Sequence, residues 1–404
     1  ECVGKQRASL FRVCVFFVRK GAMKLWAILA SAAAGEGSCA VGINGQMLCC
    51  AEGDAECVGK QRAARDTTEQ GTDELWRPKF AGVRTFAGLP LWDRAEKFDF
   101  GILGVPFDGG ASYNPGARFA PSEIRASSRR IDKFNRLYNI ALQRTGLTVV
   151  DLDDLTVTPY DLMKAHKQIQ SAAEDLMQIG RLVVLGGDST VVQPVLRAAH
   201  RVYNASVGPF AVVHFGASLG TGDSTWGHIP QEPAPLFWSL GEGLFDVRHS
   251  LHVGTRGTTS SSKVDLADQE LGFATVPASS FEDLGVAGVV SKIRDRLERR
   301  DGTYMPCFIH LDLGVLDPAF APGVGSPEIG GLSTRELQGV LAGMQSFATV
   351  LGAALVDVVP AGDASGITIL AAANVANDLL NLVAKPATHR LARPELPDAP
   401  QDPK

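Results

Sequence analysis

Residues 210–223 read FAVVHFGASLGTGD. The apolar run does not alternate with polar residues, so it reads as a strand buried on both faces, as in a parallel sheet covered by helices. It leads straight into Gly216, Ala217, Ser218, Leu219 and Gly220, and then into the turn residues Thr221 and Asp223. The same rhythm extends outward in both directions. Strand-like runs are expected at 98–105, 147–151, 182–185, 210–213, 250–253, 308–311 and 353–358. Between them, residues 120–125 open a helix with Pro121 near its first turn. Residues 160–179 place Leu162, His166, Ile169, Ala173 and Leu176 on one side of a second helix. Residues 366–384 read as an Ala- and Leu-rich helix. Apolar strands separated by helices predict an α/β fold with a mainly parallel sheet. In such sheets, ligand sites lie at the carboxyl ends of the strands.

The chain has 404 residues and is 45% hydrophobic, enough to bury a large core in one large domain or two smaller ones. A net charge of −5 gives no basic footprint for nucleic acid. No run reaches the roughly 18 apolar residues of a transmembrane helix, so no membrane partner is expected. Cys2, Cys14, Cys39, Cys49, Cys50 and Cys57 crowd the N-terminus, and only Cys307 lies beyond. The main body is therefore not held by internal disulfides, whereas the N-terminal piece has the cysteines for them in an oxidising compartment.

The first 70 residues differ from the rest. Met23 and Lys24 precede the apolar residues 25–29 and the small residues 30–35, a pattern like a signal peptide at about 23–34. A chance apolar patch is the equal alternative, because the run is short. A start at Met23 implies a secreted or endomembrane product; otherwise a soluble cytoplasmic or organellar protein is expected. The octapeptide ECVGKQRA stands at both 1–8 and 56–63 and reads as a duplicated segment or a mis-joined reading frame. Residues 1–70 are set apart as an extension, 75–385 as the main domain, and the Pro-rich 386–404 as a flexible tail.

Four strand ends carry the polar residues. They are Gly186-Gly187-Asp188-Ser189-Thr190, the segment 214–223, His310-Leu311-Asp312-Leu313-Gly314, and Val356-Asp357-Val358. Three longer stretches are GVPFDGGASYNPGARFAPSEIR at 104–125, HLDLGVLDPAFAPGVGSPEIGGLSTREL at 310–337 and GAALVDVVPAGDASGITILAAANVA at 352–376. In order and spacing these stretches resemble the ureohydrolases, the arginase and agmatinase family, and are closer to agmatinase. The resemblance implies a three-layer α-β-α fold with a sheet of about eight strands. It also implies two manganese ions bridged by a hydroxide that attacks a guanidino carbon and releases urea. Hard Mn²⁺ favours carboxylate oxygen and accepts imidazole, and a metal pair makes hydroxide nucleophilic at neutral pH.

Carried over position by position, the ligand set is mostly substituted. Where the family has histidine after Gly-Gly-Asp, Ser189 follows Asp188. Where it has Asp-Ala-His-x-Asp, this chain has Gly216, Ser218 and Gly220. In the Asp-x-Asp stretch Asp312 stands, and Gly314 replaces its partner. Five of the six ligand positions are therefore degenerate, and the usual cluster is expected to be lost. His310 stands where the family has serine. It either helps Asp312 hold a single ion or fills the space and hydrogen-bonds Asp312.

The family's substrate-loop histidine falls on Glu232, while His228 lies four residues earlier and reads as a surface-loop histidine unless the loop is rearranged. Asp357 occupies the place of a glutamate that holds the guanidinium, and Asn114 and Arg118 match a loop lining the pocket mouth. Arg118 equally suits an anchor onto backbone carbonyls. Asp188 and His228 are the candidate catalytic residues. Asp312, Asp357 and Asp188 give the pocket a negative potential that suits a guanidino or amine ligand. Three readings follow. The first is a degenerate ureohydrolase that binds a ligand or serves as an oligomer subunit. The second is a hydrolase turning agmatine into putrescine and urea at a rearranged or mononuclear site. The third is a purely structural module. Resemblance implies a homo-oligomer, a trimer or hexamer, or assembly with an active relative.

Overall fold

The computed structural model describes residues 37–41, 47–51 and 79–384, apart from 95, 143–145, 222–233 and 260–262. The expected signal peptide, both copies of the octapeptide and the 386–404 tail lie outside the described residues. The chain divides into two units, Glu1–Gly82 and Val83–Lys404. The described part of the first holds an antiparallel pair, β1 (Gly37–Val41) and β2 (Met47–Ala51).

The second unit is built on an eight-stranded sheet. Its strands are β3 (Phe100–Gly104), β4 (Val149–Asp154), β5 (Arg181–Leu185), β6 (Ala211–Phe215), β7 (Leu251–Val253), β8 (Ala274–Val276), β9 (Cys307–Asp312) and β10 (Val350–Val356). Their order is β4-β3-β5-β10-β9-β6-β7-β8. Every pairing is parallel. The non-alternating runs have the expected cause: each strand end to end is buried along β3, β6, β7 and β10, with helices over both faces.

On one face lie α1 (Ala120–Ser128), α6 (Ser280–Leu297), α7 (Thr334–Met344) and α8 (Ile367–Val383). Ile124, Ile293, Leu341 and Leu379 of these helices share a core with Val213, Ile309 and Leu355 of the sheet. On the other face lie α2 (Leu162–Met177), α3 (Val192–Ser206) and α4 (Pro235–Gly241). Their Ile169, Val195 and Leu236 pack on Val184, Val212, Phe308 and Ala354. The three-layer α-β-α fold is therefore in place, with an all-parallel rather than mainly parallel sheet. A short helix, α5 (Lys263–Leu271), leads into β8, an edge strand that no apolar run announces. Cys307 is a buried free thiol inside β9, and burial pushes it up to about 12.

The sheet order brings the chemistry together. β5, β10, β9 and β6 are consecutive neighbours, so the four polar strand ends read from the sequence converge at one edge of the sheet.

Candidate functional site

At the end of β5 the chain turns through Gly187, whose Cα lies against the Phe107 main chain so closely that any Cβ would collide with it. The contact aligns Asp188, whose backbone N–H donates to Phe107 O at 3.0 Å. The Asp188 carboxylate is fully buried, and both of its oxygens accept hydrogen bonds. Oδ2 accepts from Gly110 N at 2.7 Å, and Oδ1 accepts from Thr190 N at 3.0 Å and from the Thr190 hydroxyl. Burial pushes its pKa up against these donors. Asp188 thus ties the loop after β3 to the turn after β5, and its oxygens face main-chain donors. Ser189 is buried in that turn.

The loop after β3 has its own buried carboxylate, Asp108, which motif reading passed over. It accepts from Gly116 N at 2.7 Å and from the Arg118 guanidinium. Arg118 is therefore anchored by a carboxylate and not by backbone carbonyls. Asn114 N donates to Gly325 O at 3.2 Å, joining this loop to the one after β9.

β9 ends at Asp312, whose Oδ1 accepts from Gly314 N at 2.7 Å and caps a single turn, Leu313–Val315. The turn ends the strand, so Gly314 leaves the alternation that would have aligned it with His310 and Asp312. A Cβ at 314 would lie 3.0 Å from Asp312 Oδ1, so a side chain there would stand beside that carboxylate. Asp357, just past β10, is 2% exposed and adopts a left-handed φ of 65°. It accepts from Gly325 N at 3.2 Å and hydrogen-bonds Asp312. Burial pushes the Asp312 pKa up, and the hydrogen bond with Asp357 works against that rise. The Arg256 guanidinium, which donates to Gly314 O at 2.8 Å and Glu328 O at 2.7 Å, opposes that rise.

At the end of β6, Gly216 is buried, Ser218 is exposed and Gly220 is buried. Gly220 has φ of 65°, and its carbonyl accepts from Leu236 N at 3.0 Å at the start of α4. The position has become a turn that favours glycine.

His310 does not form the expected hydrogen bond to Asp312. Both of its ring nitrogens are buried without a partner among the described residues, and Asp312 uses Gly314 and Asp357 instead. The His310 ring stacks on His214, with centroids 4.5 Å apart, and burial pushes its pKa down to about 3. Among the described residues no group of three or more His, Cys, Asp or Glu is arranged to hold a metal ion. Glycine at 216, 220 and 314 brings no side-chain donor, and Asp188 is committed to main-chain N–H groups. The donor set at these strand ends does not fit a manganese pair. His228 and Glu232 lie outside the described residues.

The model of the arginase family matches residues 98–381, nearly all of the sheet and its helices. The chain belongs to the arginase family. It is 34% identical over 323 residues to a guanidinopropionase of Pseudomonas aeruginosa, covering 79% of this chain and 97% of that one. It is 31% identical over 321 residues to a mitochondrial agmatinase of Gallus gallus, covering 79% and 91%. Among solved structures, the proclavaminate amidino hydrolase of Streptomyces clavuligerus superposes with a TM-score of 0.70 at 31% identity, covering 76% of this chain and 99% of that one. This chain is thus an agmatinase-like and guanidino-hydrolase-like family member. No helix among its described residues is long and apolar enough to cross a membrane.

Proposed function

We propose that this arginase-family chain binds a cationic amine or guanidino compound at its central strand ends and does not hydrolyse it by the dimanganese route. One observation carries the proposal: the strand ends of β5, β6 and β9 offer Ser189, Gly216 and Gly314, with Asp312 alone retained from the family's ligand set. Two metal ions carry four positive charges, and one carboxylate neither balances them nor fills two coordination shells. The acids that remain suit an organic cation. Burial raises the pKa of Asp312 beside Asp357, and an ammonium or guanidinium next to them would favour the ionised form.

Agmatine is the first probe. Binding to the folded state alone raises Tm as ligand exceeds Kd. Agmatine is expected to raise Tm without urea release, and Asp357→Asn to abolish the rise. Urea release from agmatine at a rate set by added Mn²⁺ would refute the proposal. Assembly with itself or with an active relative belongs to the same reading, and sedimentation of the purified chain tests it: a monomer at micromolar concentration would remove self-assembly.

A further inference from the structure

Three histidines lie in one row across the sheet. His252 of β7, His214 of β6 and His310 of β9 are register partners on the α2–α4 face. His252 Nε2 lies 3.2 Å from Asp268 Oδ1, and the Thr221 hydroxyl donates to the same oxygen at 2.6 Å. The His214 and His252 Nδ1 atoms are 2.9 Å apart. His214, His252 and Asp268 are no more than 2% exposed. At the far end, a Cβ on Gly216 would lie 2.6 Å from His214 Nε2. That nitrogen therefore occupies the direction a residue-216 side chain would take.

With Asp268 ionised and His252 neutral, the hydrogen bonds fix both tautomers. An ionised Asp268 only accepts, so the His252 Nε2 facing it carries a proton. In that neutral form His252 has a bare Nδ1. The two facing Nδ1 atoms need one proton between them, so His214 supplies it. Burial holds His214 well below the ordinary imidazole range, hence neutral, and its remaining nitrogen, Nε2, is bare. Stacking of His252 on Phe273, with centroids 4.3 Å apart, fixes the ring planes at one end, and His310 does so at the other.

We propose that Asp268, His252 and His214 form a hydrogen-bonded relay that presents the bare Nε2 of His214 at Gly216 as an acceptor for an N–H group of a bound amine or guanidinium. The ligand class rests on the pocket reading above; the relay does not. His214 touches the ligand, and His252 and Asp268 are positioning residues. A single neutral nitrogen takes a hydrogen bond here rather than an ion, because the described residues around it supply no set of three metal donors.

Full-length protein labelled with ¹⁵N-histidine, read by long-range proton–nitrogen correlation with and without agmatine, tests this. The relay predicts a bare, downfield Nε2 on His214 and a bare Nδ1 on His252 without ligand. Saturating agmatine is expected to move His214 Nε2 upfield. A proton on His214 Nε2, or a doubly protonated His252, overturns the relay. His252→Phe keeps the ring stacking and should release the fixed His214 tautomer; an unchanged His214 pattern overturns the relay, and the wild-type spectrum alone decides if the variant does not fold. Agmatine that raises Tm without moving Nε2 overturns the ligand contact. A bare Nε2 with no thermal response to agmatine upholds the relay and removes the pocket reading.

Discussion

Single carboxylates at this site bond to the protein's own groups. Asp188 spends its carboxylate on Gly110 and Thr190, and Asp312 spends its own on Gly314 and Asp357. His310 is the least rewarded, with two buried ring nitrogens and no partner among the described residues. Each unpaired buried polar group costs about 1–3 kcal/mol. His310→Phe keeps the stack on His214 and removes both nitrogens, so chemical denaturation at pH 7.5 should show a stability gain of about 1 kcal/mol. A loss of similar size would mean that the ring has a partner. Asp312→Asn tests the burial of its carboxyl. Burial raises Asp312 from 3.8 to about 6, so the variant should raise Tm at pH 8 and leave Tm nearly unchanged at pH 4, where Asp312 keeps its proton. Equal effects at both pH values would contradict burial as the cause.

Among elements, the end of β6 decides the account. Gly220 accepts the start of α4 from a left-handed turn, whereas Ser218 faces solvent. Gly220→Ala should therefore cost about 1 kcal/mol from backbone strain, and Ser218→Ala close to nothing. Urea unfolding of the two variants distinguishes them, and equal costs would contradict the turn. The same strand shows what is legible in a sequence. Continuous apolar runs such as 182–185 and 210–213 declare themselves because a doubly covered strand has no polar face. Their polar ends are legible for the same reason, as the first departure from the run. β8 is not legible, because Ala274–Val276 is too short to show a period. Nor is the histidine row: His214, His252 and His310 are far apart in the chain, and only sheet register makes them neighbours. One signal was available, a histidine inside each of three buried strands. Asp108 was hidden because a loop carboxylate bonded to backbone has no motif.

Across the whole molecule, buried ionisable groups pull stability in opposite directions with pH. Asp378, held by Gln338 and Asn135, is raised by burial from 3.8 to about 6. The folded state keeps its proton where the unfolded chain has lost it, so stability falls as pH rises from 3.8 to about 6. His310 is lowered from 6.5 to about 3, and His166 to about 4, both chiefly by burial. The unfolded chain binds those protons first, so their contribution is present above 6.5 and is lost as pH falls toward 3. Asp378→Asn isolates one term. The variant should gain stability over the wild type at pH 7.5 and gain nothing at pH 3, as read by thermal unfolding at each pH. A pH-independent difference would contradict burial as the cause.

The family's scaffold spans residues 98–381, and the proposal is that its strand ends gather no metal pair. Manganese content measures that most directly. Full-length protein dialysed against Mn²⁺, freed of excess and analysed by elemental mass spectrometry, is expected to carry well below two ions per chain and to release no urea from agmatine. Two tightly held ions per chain, accompanied by urea release, would contradict the account.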